Sequence, residues 1–205
     1  MVGITGLIGS GKSRVSRFLA DRLNSRLIDA DGVAARLMAP GQPGWRAIKG
    51  LNSRYIMADG RLDRARLRQD IFSDPAIRET IDALIHPLIK KEVERSIAAS
   101  AGMVLVEAPL LFEAGWQELF DVLVLVYADQ EVCERRVMHR DGVDRRQAQQ
   151  AFACQMPAAL KIERAHHVID NSNTWWETQL QLLHLATLLA GNSRKGEEMP
   201  AAGQK

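Results

Sequence analysis

The sequence predicts an α/β fold of three layers, a parallel sheet between helices, with a helical insertion and a helical lid attached. Short continuous apolar runs recur along the chain, at Val2 to Thr5, Arg26 to Ile28, Met103 to Val106, Asp121 to Tyr127 and His167 to Asp170. Runs of that length without polar alternation suit parallel strands buried on both faces. Helical patterns separate them, and a Gly-rich turn stands between the first run and an amphipathic helix.

The 205 residues, with 46% hydrophobic side chains, suffice for one compact unit with attachments. Lys and Arg number 27 against 25 Asp and Glu, a net charge of +2 that gives no reason to expect nucleic acid or an anionic membrane as partner. Cys133 and Cys154 are the only cysteines and lack metal-type spacing, which argues against a disulfide framework or a structural zinc site. The opening MVGITGLIGSGKS has none of the regions of a signal peptide. Apolar stretches such as Val122 to Ala128 fall far short of the roughly 20 residues of a membrane-spanning helix. The expectation is a soluble, cytoplasmic protein.

In chain order, Val2 to Thr5 is the first strand, and Lys12 to Asn24 places Val15, Phe18, Leu19 and Leu23 on one helical face. The second strand ends in Asp29-Ala30-Asp31. Some seventy residues then precede the third strand, with turn signals at Pro40-Gly41 and Asp59-Gly60 and a His86-Pro87 pair in an otherwise helical pattern. That is too long for an ordinary crossover and reads as an insertion, 32–100, on the substrate side of the sheet. The charged helical stretch 131–155 reads as a mobile lid, leaving 1–31, 101–130 and 156–190 as the core. Thr174 and Glu177 have the spacing of a capping box for a last helix ending near Ala190, and the polar segment 191–205 is expected to be disordered. The four tryptophans, Trp45, Trp116, Trp175 and Trp176, are expected to serve packing.

The Gly-rich turn carries the chemistry. Gly6-Leu7-Ile8-Gly9-Ser10-Gly11-Lys12-Ser13 matches G-x-x-x-x-G-K-S/T in its required setting, after a buried strand and at the start of a helix. Glycines let successive backbone N–H groups turn around a phosphate, and the helix N-terminus favours negative charge. Lys12 would reach the β and γ phosphates and the Ser13 hydroxyl would ligate Mg²⁺. The predicted fold is therefore that of a P-loop NTPase.

Phosphoryl transfer to a hydroxyl needs a carboxylate for the acceptor, cations for developing charge and an acceptor pocket. Asp29 and Asp31 stand at the carboxyl end of a strand, where α/β sheets place ligand-contacting residues. Either also suits the cap of the helix beginning near Gly32, so one is expected to cap while the other works. Arg140 leads the lid arginines as a cation brought to ATP on closure, and Arg61, Arg64, Arg66 and Arg68 crowd one segment of the insertion. A solvated helix face would look the same for any of them.

Taken together, GSGKS at 9 to 13, IDAD at 28 to 31 with Ala35-Arg36, Pro40-Gly41, DGRLDRARLR at 59 to 68, His86-Pro87, APLLFE at 108 to 113, Arg140-Asp141, Gln155 and VIDN at 168 to 171 resemble the dephospho-coenzyme A kinases. The resemblance spans residues 1 to about 185. It implies ATP-dependent phosphorylation of the ribose 3′-hydroxyl of dephospho-coenzyme A, the last step of coenzyme A synthesis. It further implies that Asp31 is the base or orienter, that Gly9, Ser10, Gly11, Lys12, Ser13 and Arg14 wrap the ATP phosphates, and that Arg140 comes from the lid; Arg136, in the same charged stretch, is expected to bind ATP as well. Asn171 would lie near the adenine. Arg36, Leu62, Arg68, His86, Pro109, Leu110 and Leu111 would line the acceptor pocket. For His86 a histidine ending a helix before proline is an equal reading, and Pro109 to Leu111 suit ordinary core after a strand.

The sequence departs from the family pattern at Leu7, commonly Gly, at Arg14, commonly Thr, at Leu51-Asn52, where Phe-Gly is frequent, and at Ala165-His166-His167, in place of Ala-Asp. Arg14 keeps a backbone N–H but loses a hydroxyl for the α phosphate. A nucleoside monophosphate kinase is the alternative enzyme, sharing P-loop, insertion and lid. A GTPase switch would need a guanine-reading N-K-x-D segment, which is absent.

Overall fold

The computed structural model describes the backbone of residues 1–197 and the side chains of residues 1–191. Five strands form one parallel sheet: β1 (Val2–Thr5), β2 (Arg26–Asp29), β3 (Val104–Glu107), β4 (Val122–Tyr127) and β5 (His167–Asp170), in the order β2-β3-β1-β4-β5. The register aligns Asp29 with Glu107 and Tyr127 with Asp170, so the carboxyl ends of the strands form one edge that is far more polar than the strands themselves.

Helices cover both faces. On one side α1 (Lys12–Leu23) and α9 (Trp175–Glu197) bury Val15, Leu19, Leu182, Leu185 and Leu189 against Val2, Ile4, Leu105 and Val124. On the other, the chain between β2 and β3 folds into α2 (Ala30–Leu37), α3 (Pro43–Leu51), α4 (Arg64–Ser73) and α5 (Pro75–Ala98). These helices share a core of Val33, Ile48, Leu67, Ile81 and Val93 that continues into Val104, Val106 and Leu111. A side chain at Gly3 would meet Leu111 and Phe120 at 2.8 Å, so glycine in β1 lets that core close onto the sheet.

His86 does not end a helix. α5 runs through Pro87, because the buried stripe Ile81, Ile85, Ile89 and Val93 holds both halves against one core. The cost is the missing proline N–H toward the Ala83 carbonyl, on an exposed turn where water can replace it. Asp74 starts the same helix by accepting from the Ala76 and Ile77 amides, with Pro75 in the first turn.

The charged stretch after β4 forms α6 (Gln130–Asp141) and α7 (Arg145–Ala153), joined through Gly142 in the left-handed region and a capping box between Asp144 and Gln147. The short α8 (Ala158–Arg164) returns the chain to β5. The last helix passes its expected end near Ala190 and runs to Glu197, since one glycine at 191 weakens a helix without stopping it. Residues 198–205 of the expected tail lie outside the described residues. Trp116 belongs to the core under the insertion with Trp45 packed against it, and Trp175 packs against the core on the α1 and α9 side, but Trp176 is 66% exposed, contrary to a packing role. Among the described residues no helix is long and apolar enough to cross a membrane.

Candidate active site

A cleft of 760 Å³ opens at the carboxyl edge of the sheet. Its floor carries Lys12, Ser13, Asp31 and Glu107. Arg68, Arg78, Asp82 and His86 enter from α4 and α5, Pro109, Leu110 and Glu113 from the segment after β3, Arg140 from α6 and Gln155 from just after α7.

The loop from Gly6 to Ser13 is held in shape by its glycines. Gly9 and Gly11 have φ of 79° and 91°, and a Cβ on Gly9 would stand 2.6 Å from the Cys133 carbonyl oxygen. Asn171, at the end of β5, donates through Nδ2 to the Ser10 carbonyl at 2.7 Å and accepts from Thr178 Oγ1 at 3.0 Å. Arg136 of α6 donates to the Asn171 carbonyl at 2.9 Å and approaches the Gly9 and Ser10 carbonyls at 3.4 and 3.5 Å. Both residues therefore grip the loop through its carbonyls; of its amides, that of Ile8 is held by Gln155 Oε1 at 2.8 Å and that of Ser10 by the Leu7 carbonyl at 3.1 Å. The Arg14 guanidinium lies 3.8 Å over the Trp175 ring.

Lys12 is 8% exposed and donates to the Leu7 carbonyl at 2.9 Å. Burial pulls its pKa down to about 8, against the opposing attraction of Glu107 and Asp31. Ser13 Oγ donates to Glu107 Oε1 at 2.7 Å. Asp29 is the cap of α2, accepting from the Asp31 amide at 3.0 Å, which leaves the Asp31 carboxyl uncommitted in the first turn and open to the cleft. Partial desolvation, then the carboxylates of Asp29 and Glu107, raise the Asp31 pKa, while Lys12 works against them.

Arg140 faces the cleft but its guanidinium makes a two-point pair with Asp141, at 2.7 and 2.8 Å. His86 Nε2 is 3.5 Å from Asp82 Oδ1. Of the seven residues expected at the acceptor pocket, Arg68, His86, Pro109 and Leu110 meet in the cleft. Leu111 is fully buried core, because the segment after β3 turns it inward under Gly3. Leu62 is 8% exposed and lines a separate 390 Å³ groove with Met38 and Met57, and Arg36 projects from α2 outside the cleft.

Glu107, Asp82, Arg78 and Glu113 were not expected. Glu107 was legible: an acid closing the apolar run of β3 stands where strand ends meet ligands. The others sit within helices and loops whose facing side no spacing reveals.

A family model described as Dephospho-CoA kinase matches residues 1–177. A dephospho-CoA kinase of Syntrophotalea carbinolica is 38% identical, covering 99% of this chain and 98% of its own length. That of Acinetobacter baylyi is 37% identical over 90% of this chain and 95% of its own. Among solved structures, TT1252 from Thermus thermophilus superposes with a TM-score of 0.77 at 33% identity, over 92% of this chain and 96% of that one. At the level of fold alone, a Campylobacter jejuni dephospho-CoA kinase gives 0.65 at 21% identity, over 93% and 98%.

Proposed function

The chain belongs to the dephospho-CoA kinase family, as an ATP-dependent kinase of the last step of coenzyme A biosynthesis, and we propose how its cleft divides the work. The observation that carries the proposal is that Lys12, Ser13 and Asp31 open onto the same cleft as Arg68, His86 and Arg140. A donor anion on the loop and an acceptor hydroxyl at Asp31 would meet there.

The loop from Gly9 to Arg14 cradles the ATP phosphates, and the Lys12 ammonium takes the β and γ phosphates in place of the Leu7 carbonyl. The acceptor lies between Arg68 and His86 on one side and Pro109 and Leu110 on the other. Its ribose 3′-oxygen forms the new bond to the γ phosphorus as the bond to the β–γ bridging oxygen breaks, and its proton passes to Asp31. Coenzyme A and ADP are the products. Little covalent work is asked of the protein, so positioning and charge dominate. Arg140 exchanges Asp141 for phosphate as the lid, 131–155, closes over the core of 1–31, 101–130 and 156–190, with 32–100 as the acceptor-binding insertion.

Magnesium fits the Ser13–Glu107 pair, since a nucleotide-bound Mg²⁺ asks the protein for only one or two oxygens. Among the described residues no cluster of three or more His, Cys, Asp or Glu would hold an ion without the nucleotide. When bound, the ion would neutralise charge on the transferring phosphoryl group. Work on small free metabolites fits a cytoplasmic location.

ADP release from Mg-ATP, compared for dephospho-coenzyme A, AMP, CMP, pantetheine and no acceptor, tests the reading. A response to dephospho-coenzyme A alone supports it; a larger response to AMP would favour a nucleoside monophosphate kinase.

A further inference from the structure

Lys161, on α8, is completely buried, an unusual position for a lysine. Its Nζ donates to the Pro109 carbonyl at 3.1 Å and pairs with Glu113 Oε1 at 2.8 Å. The same Glu113 oxygen accepts the Met156 amide at 2.8 Å, while Oε2 is buried without a partner. One residue earlier, Gln155 Oε1 accepts the Ile8 amide of the phosphate loop, also at 2.8 Å. Pro109, Glu113 and Gln155 all line the cleft. Two adjacent residues between α7 and α8 are thus fastened in opposite directions, Gln155 to the donor loop and Met156 to the acceptor wall, with Lys161 holding the wall in place.

A buried ion pair is weak evidence for stability, because apolar residues of similar volume often serve as well. A pair tying together three chain segments at one cleft has a use that packing does not need. We propose that Lys161 and Glu113 are positioning residues, a latch that fixes the acceptor wall at Pro109 and Leu110 relative to the phosphate loop through Met156 and Gln155. This rests on the kinase reading above and adds residues that act through others, since neither is asked to touch the reacting atoms. A displacement of about 1 Å between donor and acceptor is enough to cost on the order of a hundredfold in rate. The latch therefore governs the acceptor more than ATP, whose phosphates keep Lys12 and the loop amides other than those of Ile8 and Ser10.

The test uses Glu113→Ala, Glu113→Gln, Lys161→Met and the double variant Lys161→Met with Glu113→Leu, in the full chain. Expected for Glu113→Ala are an acceptor KM raised about tenfold, a kcat lowered by about ten- to a hundredfold, and an ATP KM within about twofold of wild type. Glu113→Gln, which keeps an oxygen for the Met156 amide, recovers most of both. The double variant, with no uncompensated charge, regains the wild-type melting temperature but not the acceptor KM. In the free protein, amide exchange at both Met156 and Ile8 is expected to rise about tenfold in Glu113→Ala. A double variant with wild-type acceptor KM, equal effects on both substrates, or an Ile8 amide indifferent to Glu113 would overturn the latch. Wild-type protein without turnover on dephospho-coenzyme A would strike the kinase reading instead, and the exchange arm, which needs no substrate, would still decide the latch.

Discussion

Ser13, the first exposed residue of α1, donates its hydroxyl to Glu107 at the end of β3 across 2.7 Å, joining the phosphate loop to the neighbouring strand. A hydroxyl and a carboxylate so placed would serve as the protein's share of the nucleotide-bound cation site proposed above. Glu107→Gln keeps a hydrogen-bond acceptor for Ser13 but removes the charge. The expected result is a kcat lower by roughly a hundred- to a thousandfold, the range for losing one electrostatic partner of a transition state, with half-saturation at higher Mg²⁺. An unchanged Mg²⁺ titration would leave Glu107 as a brace for the loop.

Lys12 makes the site costly to fold. Its pKa of about 8 against an ordinary 10.5 means that between those values the unfolded chain holds the proton more tightly, so its contribution to stability rises with pH across that window. Below it, the charged buried ammonium costs about 3 kcal/mol. Lys12→Met is predicted to abolish turnover and to raise unfolding free energy at pH 7 by up to about 3 kcal/mol. The gain should shrink toward pH 10. Denaturant unfolding at pH 7 and pH 10 measures this; equal stability of the two proteins at pH 7 would contradict it.

The raised pKa of Asp31 has the opposite sign. Above the ordinary carboxylate value the folded state holds that proton more tightly, and stability falls as pH rises through the window up to the folded pKa. Carboxyl-carbon NMR should find Asp31 titrating above the usual range, and higher still in Lys12→Met, where the opposing ammonium is gone. A downward shift in that variant would refute the electrostatic account.

Arg140 pairs with Asp141 at a surface where its side chain is 61% exposed, so the pair contributes little to stability. Arg140→Ala is expected to leave unfolding free energy within about 1 kcal/mol of wild type while lowering kcat by about a hundredfold or more. Arg140→Lys should not restore the rate, since a two-point grip on phosphate needs the guanidinium fork. Full rescue by lysine would make Arg140 a point charge only.

The strands and the phosphate loop were legible because their signals are local: buried parallel strands read as apolar runs, and the loop's spacing dictates its own geometry. Asp31 was separable from Asp29 only once the cap was seen, since both residues suit either task. The acceptor wall was legible in part. Spacing cannot tell which of Pro109, Leu110 and Leu111 turns inward, and the structure sends Leu111 to the core. Leu62 came from resemblance, and its side chain packs in another groove. Glu113 and Lys161 are 48 positions apart by the numbering of their ion pair, and only tertiary structure joins them.

The most direct measurement is single-turnover transfer from γ-labelled ATP to dephospho-coenzyme A by wild type and Asp31→Asn, with ATP affinity measured in parallel. Expected are label on the ribose 3′-oxygen, transfer slowed at least about a hundredfold in the variant, and ATP binding unchanged. Wild-type rates from Asp31→Asn would remove Asp31 from the reaction, and with it the claim that donor and acceptor meet over that carboxylate.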